Sequence, residues 1–252
     1  MTQNETLTFG SLFAGIGGFD LGLERSGMRC RWQVEIDPFA QSVIAKHWPD
    51  VGQWDDVRTF PPHPASDWAV DVICGGFPCT DISQAGGKSG IDGEMSGLWA
   101  EYRRIILEIR PRVAIVENVS AITSRGLDRV LGDLAEIGFD AVWHCIPATA
   151  VGAPIGGWGR DRIWIVAVPN SGGCKRQGLS RGFEWKVLRS FAGSGGGVAR
   201  LPDSASDHWE NEPDVGRVAV GVPDRMDRIR CLGNSVVPQV AEWIGRRILQ
   251  HK

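Results

Sequence analysis

No two of the six cysteines form a C-x-x-C pair, so the chain suggests neither a zinc site nor a disulfide framework. No run of 18 apolar residues occurs, which argues against a membrane-spanning helix. The N-terminus, Met1-Thr2-Gln3-Asn4-Glu5-Thr6, has neither a basic start nor an apolar segment, and a cytoplasmic protein is expected. An excess of positive charge is also missing. The 27 Lys and Arg face 30 Asp and Glu, a net charge of −3, which argues against a protein that coats nucleic acid over its whole surface. A local basic cleft remains compatible with that balance. What is present suits a globular core: 42% of the 252 residues are apolar, enough for one large α/β domain or a domain with a small insertion. Cys30, Cys74 and Cys145 lie in apolar, strand-like runs and are expected in that core.

A further absence lies near the start. Leu7 to Phe13 reads as a strand, Ala14-Gly15-Ile16-Gly17-Gly18 as a glycine turn, and Phe19 onwards as a helix, which is the order of a nucleotide-binding crossover. The dinucleotide fingerprint G-x-G-x-x-G would need glycine at position 20, where Asp20 stands. The motif is therefore incomplete for a pyrophosphate, and the turn alone is equally compatible with a purely structural role. The second strand, 31–35, ends in Glu35, 20 residues after Gly15. At that spacing an acid holds the hydroxyls of a ribose. Asp37-Pro38 reads as an N-cap with proline at the first position of a helix over 38–47. Asp56 could accept a hydrogen bond from an adenine amino group, with Val57 packed on the ring.

The central stretch runs from Val70 through Cys74, Gly75, Gly76, Phe77 and Pro78 to Cys79. A buried parallel strand followed by two glycines and a stiffening proline presents one thiol at the strand's carboxyl end, where doubly wound sheets place their ligands. Two readings stand at this point, an ordinary buried cysteine and a nucleophile. Residues 83–96 are rich in glycine and cannot pack a core, so they read as a lid or a surface excursion. A helix is expected over 98–110, with Leu98, Tyr102, Ile105, Ile106 and Ile109 inward. The strand Val113–Val116 delivers Glu117 level with Cys79 if the two strands are neighbours. Burial would raise the pKa of such an acid and let it donate a proton near neutral pH; a helix cap is the alternative. An amphipathic helix over 126–136 and a strand over 139–146 follow. Arg160 and Arg162 open the next strand as a cationic fork suited to a phosphate or carboxylate, or as a surface ion pair.

From Pro169 to Gly221 periodicity fades. Lys175, Arg176, Arg181, Lys186, Arg189 and Arg200 face only Glu184 within 172–200, with Phe183 and Trp185 interleaved. This basic insertion suits contacts to nucleic acid, or is a linker. The chain ends with Gly233-Asn234-Ser235-Val236 and a striped helix over 239–249.

Taken together these stretches resemble the DNA cytosine-5 methyltransferases, in the compact form of phage and prophage orphan enzymes. The resemblance covers roughly residues 7–168 and 225–250. Phe13-Ala14-Gly15-Ile16-Gly17-Gly18 looks like the family's cofactor loop, Gly76-Phe77-Pro78-Cys79 like its nucleophile loop with Ser83 in place, and Glu117-Asn118-Val119 like its catalytic acid. Arg160-x-Arg162 looks like its arginine pair and Gly233-Asn234-Ser235-Val236 like its closing motif.

The resemblance implies an α/β fold, a doubly wound and mostly parallel sheet in which 162–168 is the antiparallel strand. It divides the chain into a catalytic and cofactor-binding domain (1–168), a short target-recognition insert (169–221) and a closing motif with helix (222–252). It implies S-adenosylmethionine as cofactor, held by Phe13, Ala14, Gly15, Gly17, Gly18, Glu35 at the ribose, Ile36 on the adenine face, Asp56 and Val57 at its edge, and Pro78, Leu98, Asn234 and Ser235. Cys79 would be the nucleophile, Glu117 the acid at N3 of the base, Arg162 the group near O2, and Arg160 a backbone contact. Ser83, Lys175, Arg176, Arg181 and Lys186 would meet double-stranded DNA. No metal, no membrane and a monomer are expected, with an accessory recognition partner as an option and a restriction-modification or phage context. Thr80 and Trp158 replace glutamines usual in the family, and the insert is short. Two further readings stay open, a tRNA cytosine-5 methyltransferase and a retired protein that binds DNA or S-adenosylmethionine without turnover.

Overall fold

The computed structural model describes residues 6–78, 97–153, 161–170, 186, 187, 190 and 224–252. Seven strands form one sheet: β1 (Thr8–Leu12), β2 (Arg29–Val34), β3 (Gly52–Trp54), β4 (Val72–Gly76), β5 (Val113–Val119), β6 (Phe139–Pro147) and β7 (Asp161–Pro169). Their spatial order is β3-β2-β1-β4-β5-β7-β6. The pairs from β3 to β5 are parallel, and β7 runs antiparallel to both β5 and β6, as the family resemblance implied. The order reverses at β1, which has β2 on one side and β4 on the other. In an open parallel sheet that switch point leaves a crevice beyond the carboxyl ends of the strands, and ligands bind there.

The sequence makes these strands because both faces of the sheet are covered. Val113, Ala114, Ile115 and Val116 are fully buried, and neighbours in sequence point to opposite faces. Cys74, Val113, Ile115, Trp164 and Val166 pack on one face with α1 (Gly18–Ser26) and the last helix, α6 (Pro238–Leu249). Ile73, Ala114, Val116 and Ile165 pack on the other with α3 (Leu98–Ile109) and α4 (Leu127–Glu136). The helix α2 is Pro38–His47, and α5 is Arg225–Asn234.

Small residues allow α1 and α6 to approach closely. A Cβ on Gly22 would lie 2.3 Å from the Pro238 carbonyl oxygen, and one on Gly245 would lie 2.4 Å from Ser26 Oγ. The last helix therefore packs against the first with backbone close to backbone at Gly22 and Pro238.

One expectation about the core is extended, since Leu98 packs against it as expected, and another is corrected. The inward face of α3 begins with Trp99, buried and donating through Nε1 to Asp133 Oδ2 at 2.8 Å, while Leu98 is only half-buried. An indole with a polar partner is the larger payload on that face. Cys145 is exposed, whereas Cys30 and Cys74 are buried as expected. Cys145 sits on β6, the edge strand, near the end where Trp143 is also exposed; apolar alternation alone does not distinguish an edge strand from a covered one.

Candidate active site

The turn after β1 is held by backbone geometry. Phe13, Gly15 and Gly17 have φ of 52°, 56° and 85°, so the chain curls through the left-handed region that glycine tolerates. Ala14 N–H donates to Val34 O at 3.0 Å, tying the turn to the end of β2. Glu35 then clamps it: Oε2 accepts from Gly15 N–H at 2.6 Å and Oε1 from Asp37 N–H at 2.8 Å. A carboxylate has room for about four hydrogen bonds, so two acceptor positions remain for a ligand's hydroxyls. Nothing lies within 4 Å of where a Cβ on Gly15 would be. Beside this open space Ile36 is 63% exposed, an apolar face with no cover among the described residues.

Asp37 caps α2 as expected, its Oδ1 accepting from Ala40 N–H at 3.0 Å with Pro38 next in line. Asp56 caps the short turn Val57–Thr59, accepting from Arg58 N–H at 2.9 Å. Val57 is 6% exposed and packs with Phe60 and Trp32 in the core, so its side chain is largely committed there. Leu98 begins α3, and Phe13 packs edge-on to Tyr102 at 6.3 Å. Asn234 is exposed at the end of α5, and Ser235 is half-buried.

The two distant ends of the chain meet here. A Cβ on Gly18 would lie 2.3 Å from the Val236 carbonyl oxygen and 2.9 Å from Ser235 Oγ. The closing segment thus rests directly on the first turn of α1. Gly18→Ala is expected to push this segment away and weaken S-adenosylhomocysteine binding about tenfold or more, as isothermal titration would measure, because a backbone oxygen cannot step aside cheaply. Unchanged affinity would mean that the contact is not part of the cofactor site.

The second half of the site lies across the switch point. Gly76, at the end of β4, is in register with Glu117 on β5, and a Cβ there would lie 2.5 Å from Glu117 Oε2. Glu117 pairs with Trp164 across β7, and Val119 with Arg162, so Glu117 and Arg162 are diagonal neighbours on one face. Arg162 Nε stands 3.1 Å from Glu117 Oε1. Glu117 is 9% exposed, and a carboxylate that buried needs such a partner. Asn118 faces the other way. Its Nδ2 donates to the Phe77 carbonyl at 3.1 Å and its Oδ1 accepts from Val119 N–H at 2.8 Å, pinning the segment that leads to half-buried Pro78. Cys79, Ser83, Arg160, Lys175, Arg176 and Arg181 lie outside the described residues; Lys186 lies within them and is exposed.

Two features were not anticipated from the sequence. The Trp48 ring backs the glycine turn, since a Cβ on Gly17 would lie 2.4 Å from it, and Trp48 Nε1 donates to Glu24 Oε2 at 2.8 Å. Below the turn, the fully buried Asp20 ties together three elements. Gln33 Nε2 donates to Oδ1 at 2.9 Å, Ser11 Oγ donates to Oδ2 at 3.2 Å, and Cys30 Sγ lies 3.5 Å from Oδ1. Burial pushes the Asp20 carboxyl up from 3.8 to about 6, with the bonds from Gln33, Cys30 and Ser11 acting in the opposite sense. A carboxyl raised in the folded state favours folding fully below about 3.8, and that contribution is lost as pH rises through about 6. On lowering pH from about 7.5 to about 5, the protein should therefore gain roughly 1–2 kcal/mol relative to Asp20→Asn, read from urea midpoints of both. Parallel responses of the two proteins would show that Asp20 does not titrate in that window.

Among the described residues no group of three or more His, Cys, Asp or Glu could hold a metal ion, and no helix is long and apolar enough to cross a membrane.

The mostly parallel sheet thus carries a glycine turn and a ribose-spaced acid on one side of the switch point, and an acid–arginine pair on the other. Residues 7–188 match the family described as C-5 cytosine-specific DNA methylase, and the chain belongs to that family. It is 36% identical over 152 residues to the type II methyltransferase M2.BsuMI of Bacillus subtilis, covering 57% of this chain and 38% of that protein. It is 29% identical over 210 residues to the type II methyltransferase M.HhaI of Haemophilus parahaemolyticus, covering 80% of this chain and 59% of that one. The chain thus spans well under two thirds of these relatives' length. Among solved structures, the Entamoeba histolytica methyltransferase EhMeth superposes over 98% of this chain and 99% of its own, with a TM-score of 0.66 at 13% identity. A putative DNA modification methyltransferase encoded within an Escherichia coli prophage covers 65% of this chain and 47% of its own, with a TM-score of 0.52 at 24% identity. These two likenesses concern the fold.

Proposed function

We propose that the chain transfers a methyl group from S-adenosylmethionine to carbon 5 of a cytosine in double-stranded DNA, with Cys79 as covalent nucleophile. The observation that carries this reading is the Arg162–Glu117 pair at the end of β5, in register with the strand end that leads to Cys79. A buried acid and a guanidinium beside the strand end that Cys79 follows in sequence suit a base whose ring must be activated.

The cofactor assignment fits the residues present. A pyrophosphate would approach the first turn of α1, where Asp20 replaces the glycine and adds a buried carboxyl. S-adenosylmethionine has no pyrophosphate and offers a ribose to Glu35 and an adenine to Ile36. Phe13, Ala14, Gly15, Gly17, Gly18, Pro78, Leu98, Asn234 and Ser235 would complete its surroundings, with Asp56 at the adenine edge. When bound, it supplies the methyl group in an electrophilic form.

Carbon 5 of cytosine is a weak nucleophile. The Cys79 thiolate adds to carbon 6, and the electron density released along the ring makes carbon 5 reactive. Glu117 holds a proton at N3 as negative charge builds there. Arg162 keeps the carboxyl in place through the 3.1 Å contact and would meet O2 of the base. Once carbon 5 carries the methyl group, its proton passes to water, the 5,6 double bond re-forms and Cys79 leaves as the thiolate. A base stacked within a duplex cannot reach a strand-end thiol, so the cytosine is flipped out. Arg160, Ser83 and the basic residues Lys175, Arg176, Arg181 and Lys186 would contact DNA, the insert 169–221 serving as the recognition element, alone or with an accessory partner.

The test uses the purified chain, labelled S-adenosylmethionine, unmethylated duplex DNA and tRNA in parallel. Label at carbon 5 of cytosines in a fixed short DNA sequence, mapped by bisulfite sequencing, is the expected result. Transfer to tRNA alone would replace the substrate. No transfer to either, with S-adenosylhomocysteine still bound, would favour a chain that has lost turnover or lacks its partner.

A further inference from the structure

We infer that the Arg230–Asp37 ion pair is a clasp that fastens α5 across the cofactor site and sets cofactor affinity. This rests on the cofactor reading given above. The helix α5 emerges directly from the insert and leads into Asn234 and Ser235. None of its described residues is buried, and Met226 and Leu232 are 74% and 63% exposed. Along its described side chains, polar contacts rather than burial do the holding. Two contacts tie it to the elements around the glycine turn. At its end, Ser235 and Val236 rest on Gly18. At its middle, Arg230 reaches Asp37 Oδ2 at 2.6 Å, steadied by Asp227 at 3.0 Å.

These anchors close a ring. Gly15 N–H binds Glu35, Glu35 binds Asp37 N–H, Asp37 binds Arg230, and α5 runs on to Ser235 and back to Gly18, three residues from Gly15. The ring includes Gly15, where a Cβ would meet nothing within 4 Å, and passes the exposed Ile36 between Glu35 and Asp37. Asp37 serves both tasks without conflict, since Oδ1 caps α2 while Oδ2 holds Arg230. Arg230 touches neither Glu117 nor the nucleophile strand, so it is a positioning residue whose loss acts on cofactor binding rather than on chemistry. The clasp also links the basic insert to the cofactor pocket through a single short helix.

Asp37→Asn keeps the capping oxygen and removes the ion pair, while Arg230→Gln removes it from the other side, so neither variant threatens the fold. Each is expected to weaken S-adenosylhomocysteine binding and raise KM for S-adenosylmethionine about two- to fivefold, the range that a partly exposed ion pair supports, with kcat unchanged. The double variant should be no worse than either single one. Added salt should weaken cofactor binding by the wild type more than by either variant. Wild-type affinity in both single variants would overturn the clasp, and so would additive losses in the double variant. If the wild type itself binds no S-adenosylhomocysteine, the cofactor reading falls first and the clasp with it.

Discussion

Cys79→Ser is expected to abolish methyl transfer, by about a thousandfold or more, while S-adenosylhomocysteine binding stays at the wild-type level. The reason lies in the two halves of the site. In the proposed reading the cofactor meets the β1 turn, Glu35 at the end of β2 and the segment at Ser235, which contact one another directly. The proposed nucleophile follows β4 in sequence, and β4 lies on the other side of the switch point from β2. A serine hydroxyl matches cysteine in shape but is hardly ionised near neutral pH, so addition to carbon 6 fails while the fold and the cofactor turn remain. Filter binding with labelled cofactor alongside a transfer assay separates the two effects. Equal loss of both would assign Cys79 a structural role.

Glu117→Gln is the second large effect. Turnover should fall by roughly two to four orders of magnitude, the range in which a positioned proton donor contributes. DNA affinity should change little. Glutamine keeps the volume of the side chain and can still accept a hydrogen bond from Arg162 Nε, so the diagonal between β5 and β7 is not broken sterically. What is lost is a proton that can be given to and taken back from N3. Arg162 would then face no carboxylate across the 3.1 Å contact, and a modest loss of stability should accompany the kinetic effect. Gly76→Ala offers an independent check, because its Cβ would displace the carboxylate without altering its chemistry. Full activity in Glu117→Gln would remove this residue from the reaction.

The features legible in the sequence were local ones. The Asp37 cap follows from an acid before a proline, and α2 begins where that pair requires. The buried β4 and β5 strands follow from uninterrupted apolar runs between turn signals, and the 20-residue step from Gly15 to Glu35 anticipates a contact that the backbone makes directly. The antiparallel course of β7 came from the family resemblance, since its apolar alternation is compatible with either direction. What stayed hidden depends on pairings between distant segments. Asp20 was visible only as a missing glycine, yet the neighbours brought to it by β1 and β2 make it a buried hub. Trp48 looked like the end of a helix and became the wall behind Gly17. Cys145 looked like core and lies on an edge. Arg230 carries no local signal that it would reach Asp37.

The central claim is a covalent bond between Cys79 and carbon 6 of cytosine. It is tested most directly with duplex DNA in which 5-fluorocytosine replaces cytosine, incubated with the wild-type chain and S-adenosylmethionine. Fluorine takes the place of the proton that must leave carbon 5, so the adduct cannot resolve. The account predicts a denaturation-stable protein–DNA complex that needs S-adenosylmethionine, maps by peptide mass to Cys79, and disappears in Cys79→Ser. A protein that methylates ordinary cytosine at carbon 5 yet forms no such complex, or forms one at another residue, would contradict it.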